Sequence, residues 1–277
     1  MSGRPNLESR ACQIRSVGVV TVATNRYLEY WREMALSADQ HLFTEHDVVM
    51  HVFTDRAGEA KEMSGDFQRI TVNPIPIDAL GWPGATLLRY SLFDQHQDAL
   101  QQDLLMHLDA DMQVVGEVGP ELRPQDWPNG IALVRHPGYR RPRWPQRLPL
   151  YAKHPRMAAR DATLKLHSGG VGSWESREIS RAYVPRERRK TYVCGGTWMG
   201  LREPFQAMVH KLAEHTDADT DEGTMAIWHD ESHLNWYASH HDTALLSSEY
   251  CYALGFANLA DLQPRIVAVD KGSARTR

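Results

Sequence analysis

The order of apolar and polar positions divides the chain into short segments of two kinds. Residues 16–24, "SVGVVTVAT", are a continuous β-branched run, as expected of a strand buried on both faces. "DVVMHVFTD" (47–55) is a second such run. Between them, Tyr27, Tyr30, Trp31, Met34 and Leu42 are spaced as on an amphipathic helix. This β-α-β pattern opens a parallel sheet. The pattern further predicts a helix over 86–102, a strand over 103–108, strands over 130–136 and 191–200, a helix over 203–219 and a last short strand within 265–272. Residues 137–165 break the alternation. They hold five prolines among many arginines and lysines, which predicts a surface insertion with a short helix at 155–165. The economical reading is one α/β domain.

Composition narrows the function classes. The chain has 277 residues, 42% of them hydrophobic and 24% charged, as in ordinary globular proteins. A net charge of −4 leaves no electrostatic footprint for nucleic acid or an anionic membrane. The three cysteines, Cys12, Cys194 and Cys251, form no CxxC pair, which excludes a zinc ribbon and argues against a disulfide framework. The first fifteen residues lack the apolar core of a signal peptide, and no stretch approaches the roughly 18–20 apolar residues of a membrane span. A cytoplasmic protein without membrane insertion is expected.

Three stretches carry candidate chemistry. In "LMHLDADMQVV" an apolar strand runs into Asp109-Ala110-Asp111. Two carboxylates at i and i+2 repel unless a cation lies between them, and a hard divalent ion accepts such oxygens. Solvent-facing turn aspartates are the alternative. In "TYVCGGTWMG", Gly195-Gly196 weakens a strand unless the backbone approaches something closely, a sugar ring for example, or forms a bulge. "AIWHDESHLNWY" (226–237) places His229 and His233 four apart with Asp230 and Glu231 between. The order is not the HExxH of zincins, and a two-histidine zinc site lacks a nominated third ligand. Asp230 resembles a helix N-cap.

These stretches, taken with others in the same order, resemble glycosyltransferase family 6, the retaining α1,3-galactosyl- and α1,3-N-acetylgalactosaminyltransferases that include the histo-blood group A and B enzymes. The matching pieces include "VATNRYLEYW", "WPGATLLRYS", "DADM", "HPGY", "YVCGGTWMG", "WHDESHLN" and "AVDKG", and they span nearly the whole chain from residue 16. The resemblance implies a GT-A fold, a Rossmann-like sheet with helices on both faces. A nucleotide and donor part would cover 16–135 and an acceptor part 136–277, with the insertion at about 140–168, a flexible 1–15 and a C-terminal tail at about 265–277. It implies that Val22, Ala23 and Tyr27 line the uridine site. Asp109, Ala110 and Asp111 match the DxD that binds Mn²⁺ (or Mg²⁺) and the UDP diphosphate. Arg89, Lys271 and Arg277 would stand near the donor, the latter two as tail cations over the diphosphate. Glu231 matches the catalytic glutamate, either a nucleophile or a stabiliser of an oxocarbenium-like transition state, and Asp230 would hold donor sugar hydroxyls. His136, Ser173, Trp228 and Glu231 match acceptor contacts. Cys194, Gly195 and Gly196 match the segment that selects the donor, and small residues there favour UDP-GalNAc over UDP-galactose.

Departures from the pattern define what the resemblance leaves open. Eukaryotic members carry an N-terminal anchor and stem; the expectation here is a protein with neither, like the bacterial relatives. The insertion at 140–168 is unusual. Where many relatives have a Trp-Asp pair touching the acceptor, this chain has Cys251-Tyr252-Ala253, which points away from the usual β-galactoside acceptor. A zinc hydrolase built on His229 and His233 and a non-catalytic sugar-binding protein are the competing readings; the three carboxylates Asp109, Asp111 and Glu231 argue against the second.

Overall fold

The computed structural model describes residues 14–269. From the amino end, β1 (Ser16–Val22), α1 (Tyr27–His41), β2 (Asp47–Thr54), α2 (Ala57–Met63) and β3 (Thr71–Pro76) alternate. Then α3 (Gly84–Leu87) and α4 (Arg89–Gln95) lead to β4 (Leu104–Leu108) and β5 (Met112–Val114). β6 (Ile131–Arg135) is followed by α5 (Arg147–Lys153) and α6 (Pro155–Ser168). β7 (Val193–Leu201), α7 (Arg202–Asp221), α8 (His229–His240), β8 (Ala244–Leu246), β9 (Tyr252–Ala253) and β10 (Ile266–Ala268) follow.

Seven strands form one sheet in the order β3-β2-β1-β4-β7-β6-β8, and β5, β10 and β9 form a small second sheet. β1 pairs in parallel with both β2 and β4, whereas β7 runs antiparallel to β4 and β6. Both faces of the large sheet are covered, which is why its strands read as unbroken apolar runs. Val17 and Val19 of β1 pack with Leu28, Trp31 and Met34 of α1 on one face. Val20 and Val22 pack on the other with Tyr90 and Phe93 of α4, Trp198 of β7 and Phe205 of α7. The Rossmann-like α/β architecture expected from the resemblance is present. Among the described residues no helix is long and apolar enough to cross a membrane.

Several local expectations change. The helix expected over 86–102 is broken: α3 ends at Leu87, α4 ends at Gln95, and a single turn of 3-10 helix covers 97–99. β3, with sequence "TVNPIP", was absent from the hydrophobic pattern because two prolines and an asparagine interrupt it. It is tolerated because β3 pairs only with β2 at the sheet edge, where a missing N–H costs no ladder bond. The insertion holds two helices, α5 and α6, rather than one. Asp230 is not the N-cap of α8: Trp228 occupies that position without a side-chain cap, and Asp230 sits in the first turn.

Candidate active site

β1 lies between β2 and β4, so successive connections leave it toward opposite edges of the sheet. In open α/β sheets a crevice forms at such a switch point, outside the carboxyl ends of the strands. Here it is a cleft of about 470 Å³ whose lining includes Val22 at the end of β1, Tyr27 and Tyr30 of α1, Trp82, and Asp109, Ala110 and Asp111 beyond β4. Asp109 and Asp111 share the cleft through a tight turn between β4 and β5, closed by the Met112 N–H donating to the Asp109 carbonyl at 3.2 Å. Both lie in the turn itself, after β4 ends at Leu108 and before β5 begins at Met112. Ala23 is fully buried beneath the cleft, and its N–H is donated to the Phe53 carbonyl at 2.8 Å.

Arg89 joins this cleft to α8. Its guanidinium is 5% exposed and reaches Asp109 Oδ1 at 2.7 Å, Asp230 Oδ2 at 2.7 Å and the Gly195 carbonyl at 3.2 Å. Burial alone would push the arginine down, but the two carboxylates outweigh it and hold Arg89 charged. Burial raises Asp230 to about 6, with the Arg89 charge opposing the rise. His107, buried in β4, spans the Val20 carbonyl at 2.9 Å and Asp109 Oδ1 at 3.3 Å.

Glu231 faces the same region from the first turn of α8. Burial raises its carboxyl to about 7, against the hydrogen bond at 2.8 Å that the Gly195 N–H donates to Oε2. His136 Nε2 lies 4.0 Å from the same oxygen. His136 Nδ1 accepts the Gly138 N–H at 3.0 Å, so a neutral imidazole carries its proton on Nε2, toward Glu231. Burial and Arg160 depress His136 to about 4, which keeps it neutral. The turn into α8 is made by His229, which has φ +47, a conformation that histidine visits more readily than most residues. α8 is pinned to β7 by Asn235, which accepts the Val193 N–H at 2.9 Å and donates to the Val193 carbonyl at 2.8 Å. The sequence carried no signal for Asn235, because its partner Val193 is distant in the chain.

The glycines in β7 are explained from inside the protein. A Cβ at Gly196 would come within 2.9 Å of Asp109 Oδ2, and one at Gly195 within 3.2 Å of Glu231 Cβ. What approaches the backbone so closely is the site's own carboxylates. The Cys194 side chain points away, into the core. Ser173 hydrogen-bonds the Tyr139 hydroxyl, and Trp228 is half-exposed beside the helix start. The two histidines of the quoted helix separate: His229 packs against Trp82 with ring centroids 5.5 Å apart, and His233 is buried with Nε2 3.5 Å from Asp219. Among the described residues no group of three or more His, Cys, Asp or Glu side chains is placed to hold a metal ion, so the zinc reading has no site. Asp109 and Asp111 present only carboxylate oxygens to one cleft, a donor set that fits a hard cation sharing its coordination with ligand oxygens and water. Lys271 and Arg277 lie outside the described residues.

Comparison with known proteins gives a consistent picture. Residues 168–277 match the family model "Glycosyltransferase family 6". The chain is 26% identical over 272 residues to histo-blood group ABO system transferase 1 of Rattus norvegicus, covering 96% of this chain and 69% of that protein. It is 26% identical over 270 residues to alpha-1,3-galactosyltransferase 2 of Homo sapiens, covering 93% and 68%. It is 23% identical over 256 residues to the O-antigen biosynthesis glycosyltransferase WbnI of Escherichia coli, covering 92% and 94%.

Proposed function

For this relative of glycosyltransferase family 6, we propose a metal-dependent retaining transferase that moves GalNAc from its UDP-sugar in α1,3 linkage to a glycan acceptor. The observation that carries the reading is one buried arginine that joins Asp109 of the cleft at the switch point of the sheet to Asp230 and to the Gly195 carbonyl, while the Gly195 N–H holds Glu231. In this reading Tyr27 and Val22 hold the uridine. Asp109 and Asp111 hold the divalent cation, which supplies positive charge to the diphosphate. Arg89 fixes Asp109 and Asp230 together, so the carboxylate that meets the cation and the one that meets the sugar keep a set separation. Glu231 lies beneath the anomeric carbon, where its charge answers the positive charge that develops as the bond to the diphosphate oxygen breaks. The acceptor hydroxyl then forms the new bond to that carbon, and its proton leaves with the diphosphate. His136, Ser173 and Trp228 form the acceptor side.

Small residues at Gly195 and Gly196 support UDP-GalNAc over UDP-galactose. The support is shared with packing, since Asp109 by itself demands glycine at 196. UDP-galactose as donor is the second reading, favoured by the kinship with alpha-1,3-galactosyltransferase 2.

The test is donor hydrolysis without acceptor. UDP-GalNAc with Mn²⁺ is expected to be hydrolysed slowly, and EDTA to abolish the reaction. Full hydrolysis in EDTA rules out the metal role of Asp109 and Asp111, and inertness of both UDP-sugars rules out the donor reading.

A further inference from the structure

Beside the acceptor residues lies a second, smaller pocket of about 110 Å³, bounded by the end of β6, the segment 190–192 leading into β7, and helix α5 of the basic insertion. Arg135, Arg141, Arg147 and Lys190 line it, and among the described residues no carboxylate does. Arg141 is neutralised from behind by Asp161, at 2.5 and 2.6 Å, and the Tyr151 hydroxyl donates to the same carboxylate at 2.6 Å. Among the described residues the Arg147 guanidinium bonds the Pro142 carbonyl alone, at 3.3 and 3.2 Å, and meets no carboxylate. Neither Arg135 nor Lys190 has an ion pair among the described residues. Arg135 is half-buried at the strand end, and both burial and the neighbouring Arg140 act against its charge. Three cations thus face one small cavity with no carboxylate partner among the described residues, and their mutual repulsion is relieved when an anion joins them.

The pocket is joined to the site through aromatic rings. Tyr139 and Tyr192 line it, and both pack on His136, with centroids 4.8 and 5.6 Å from the imidazole. Arg160 lies over the outer ring, 5.0 Å from the Tyr139 centroid. A sugar held against His136 would place its neighbour or a substituent within reach of these cations.

We infer that this pocket receives an anionic substituent of the acceptor glycan, a sugar carboxylate or a phosphate, recognised by Arg135, Lys190 and Arg147, the last supplied by the insertion that carries α5 and α6. The inference rests on the transferase reading and extends it to the acceptor class. Charge complementarity of this kind selects among acceptors more than it adds raw affinity.

The test uses the full chain loaded with UDP and Mn²⁺, titrated by calorimetry with three galactoside disaccharides of equal size: one neutral, one bearing a uronate and one bearing a phosphate. At least one charged disaccharide is expected to bind roughly tenfold more tightly than the neutral one, with the advantage shrinking as salt is raised. The better of the two identifies the source of the anion. Arg135→Gln should bring the charged-to-neutral ratio close to one, and Arg135→Lys should restore most of it. Lys190→Gln, a change at an exposed position, should lower the ratio several-fold and serves where the Arg135 variant folds poorly. Equal binding of all three sugars, binding of none, or a ratio unchanged in both glutamine variants overturns the inference. Donor hydrolysis by the same preparations separates this result from the transferase reading: hydrolysis without charge preference removes only the inference, and charge preference without hydrolysis removes only the transferase.

Discussion

Replacing Glu231 by glutamine is expected to lower sugar transfer by about 10³-fold or more while UDP binding persists. The expectation follows from the proposed role: Glu231, held by the Gly195 N–H and flanked by neutral His136, is not tied up by Arg89 as Asp109 and Asp230 are, so its charge is the one assigned to the reacting carbon. Removing one such electrostatic contact from a water-poor site costs about 10²–10³ in rate, and more where the group also acts as nucleophile. The pH dependence has a definite sign. In the proposed role Glu231 works ionised, and burial raises it to about 7, so turnover should climb as pH rises through about 7 and fade below it. Stability runs the other way. A carboxyl whose folded value lies above its unfolded one destabilises the protein at high pH, and the penalty fades as pH falls through 7 toward its ordinary value of 4.5. The full shift corresponds to on the order of 3 kcal/mol. Glu231→Gln should therefore melt higher than the parent at pH 8, without donor, and the gap should narrow at pH 5. Near-normal turnover in this variant would sink the catalytic assignment.

Arg89→Met should have the largest effect on the fold at the site. Asp109 and Asp230 face one buried guanidinium, and removing it leaves two carboxylates close together without their shared cation. Breaking a buried pair in this way costs about 3–5 kcal/mol, or roughly 10 °C in melting temperature for a chain of this size. Donor hydrolysis should be lost with it. Arg89→Lys keeps the charge but cannot span both carboxylates and the Gly195 carbonyl, so an intermediate melting point with poor hydrolysis is expected. A thermal melt of Arg89→Met that matches the parent, with hydrolysis intact, contradicts the role given to this residue.

How far the sequence foretold the molecule depends on where each signal resides. β1, α1 and β2 were legible because burial on both faces leaves continuous apolar runs and the helix shows a clean stripe. β3 was not, because an edge strand tolerates the prolines that break the pattern. α4 ends early at Gln95, where the apolar spacing alone ran on to residue 102. At the site, the DxD is a local pattern, whereas the roles expected of Asp230, Glu231 and Arg89 entered only through a family resemblance. The pairing that unites them is tertiary: Arg89 meets Asp230 across 141 positions of sequence, and no periodicity records such a contact. Asp230 misled as an N-cap because its residue type suits that role, yet its side chain is turned to Arg89 instead. His229 and His233 misled by spacing, since the left-handed backbone at His229 takes it off the face that His233 shares with α7.

The measurement that bears most directly on the account is the anomeric configuration of the transferred sugar. Incubation of the full chain with UDP-GalNAc, Mn²⁺ and a galactoside acceptor, followed by proton NMR of the product, should show an α-linked GalNAc, the configuration of the donor, formed by the parent and not by Glu231→Gln. A β-linked product, or an α-linked one made equally well without the Glu231 carboxylate, would contradict it.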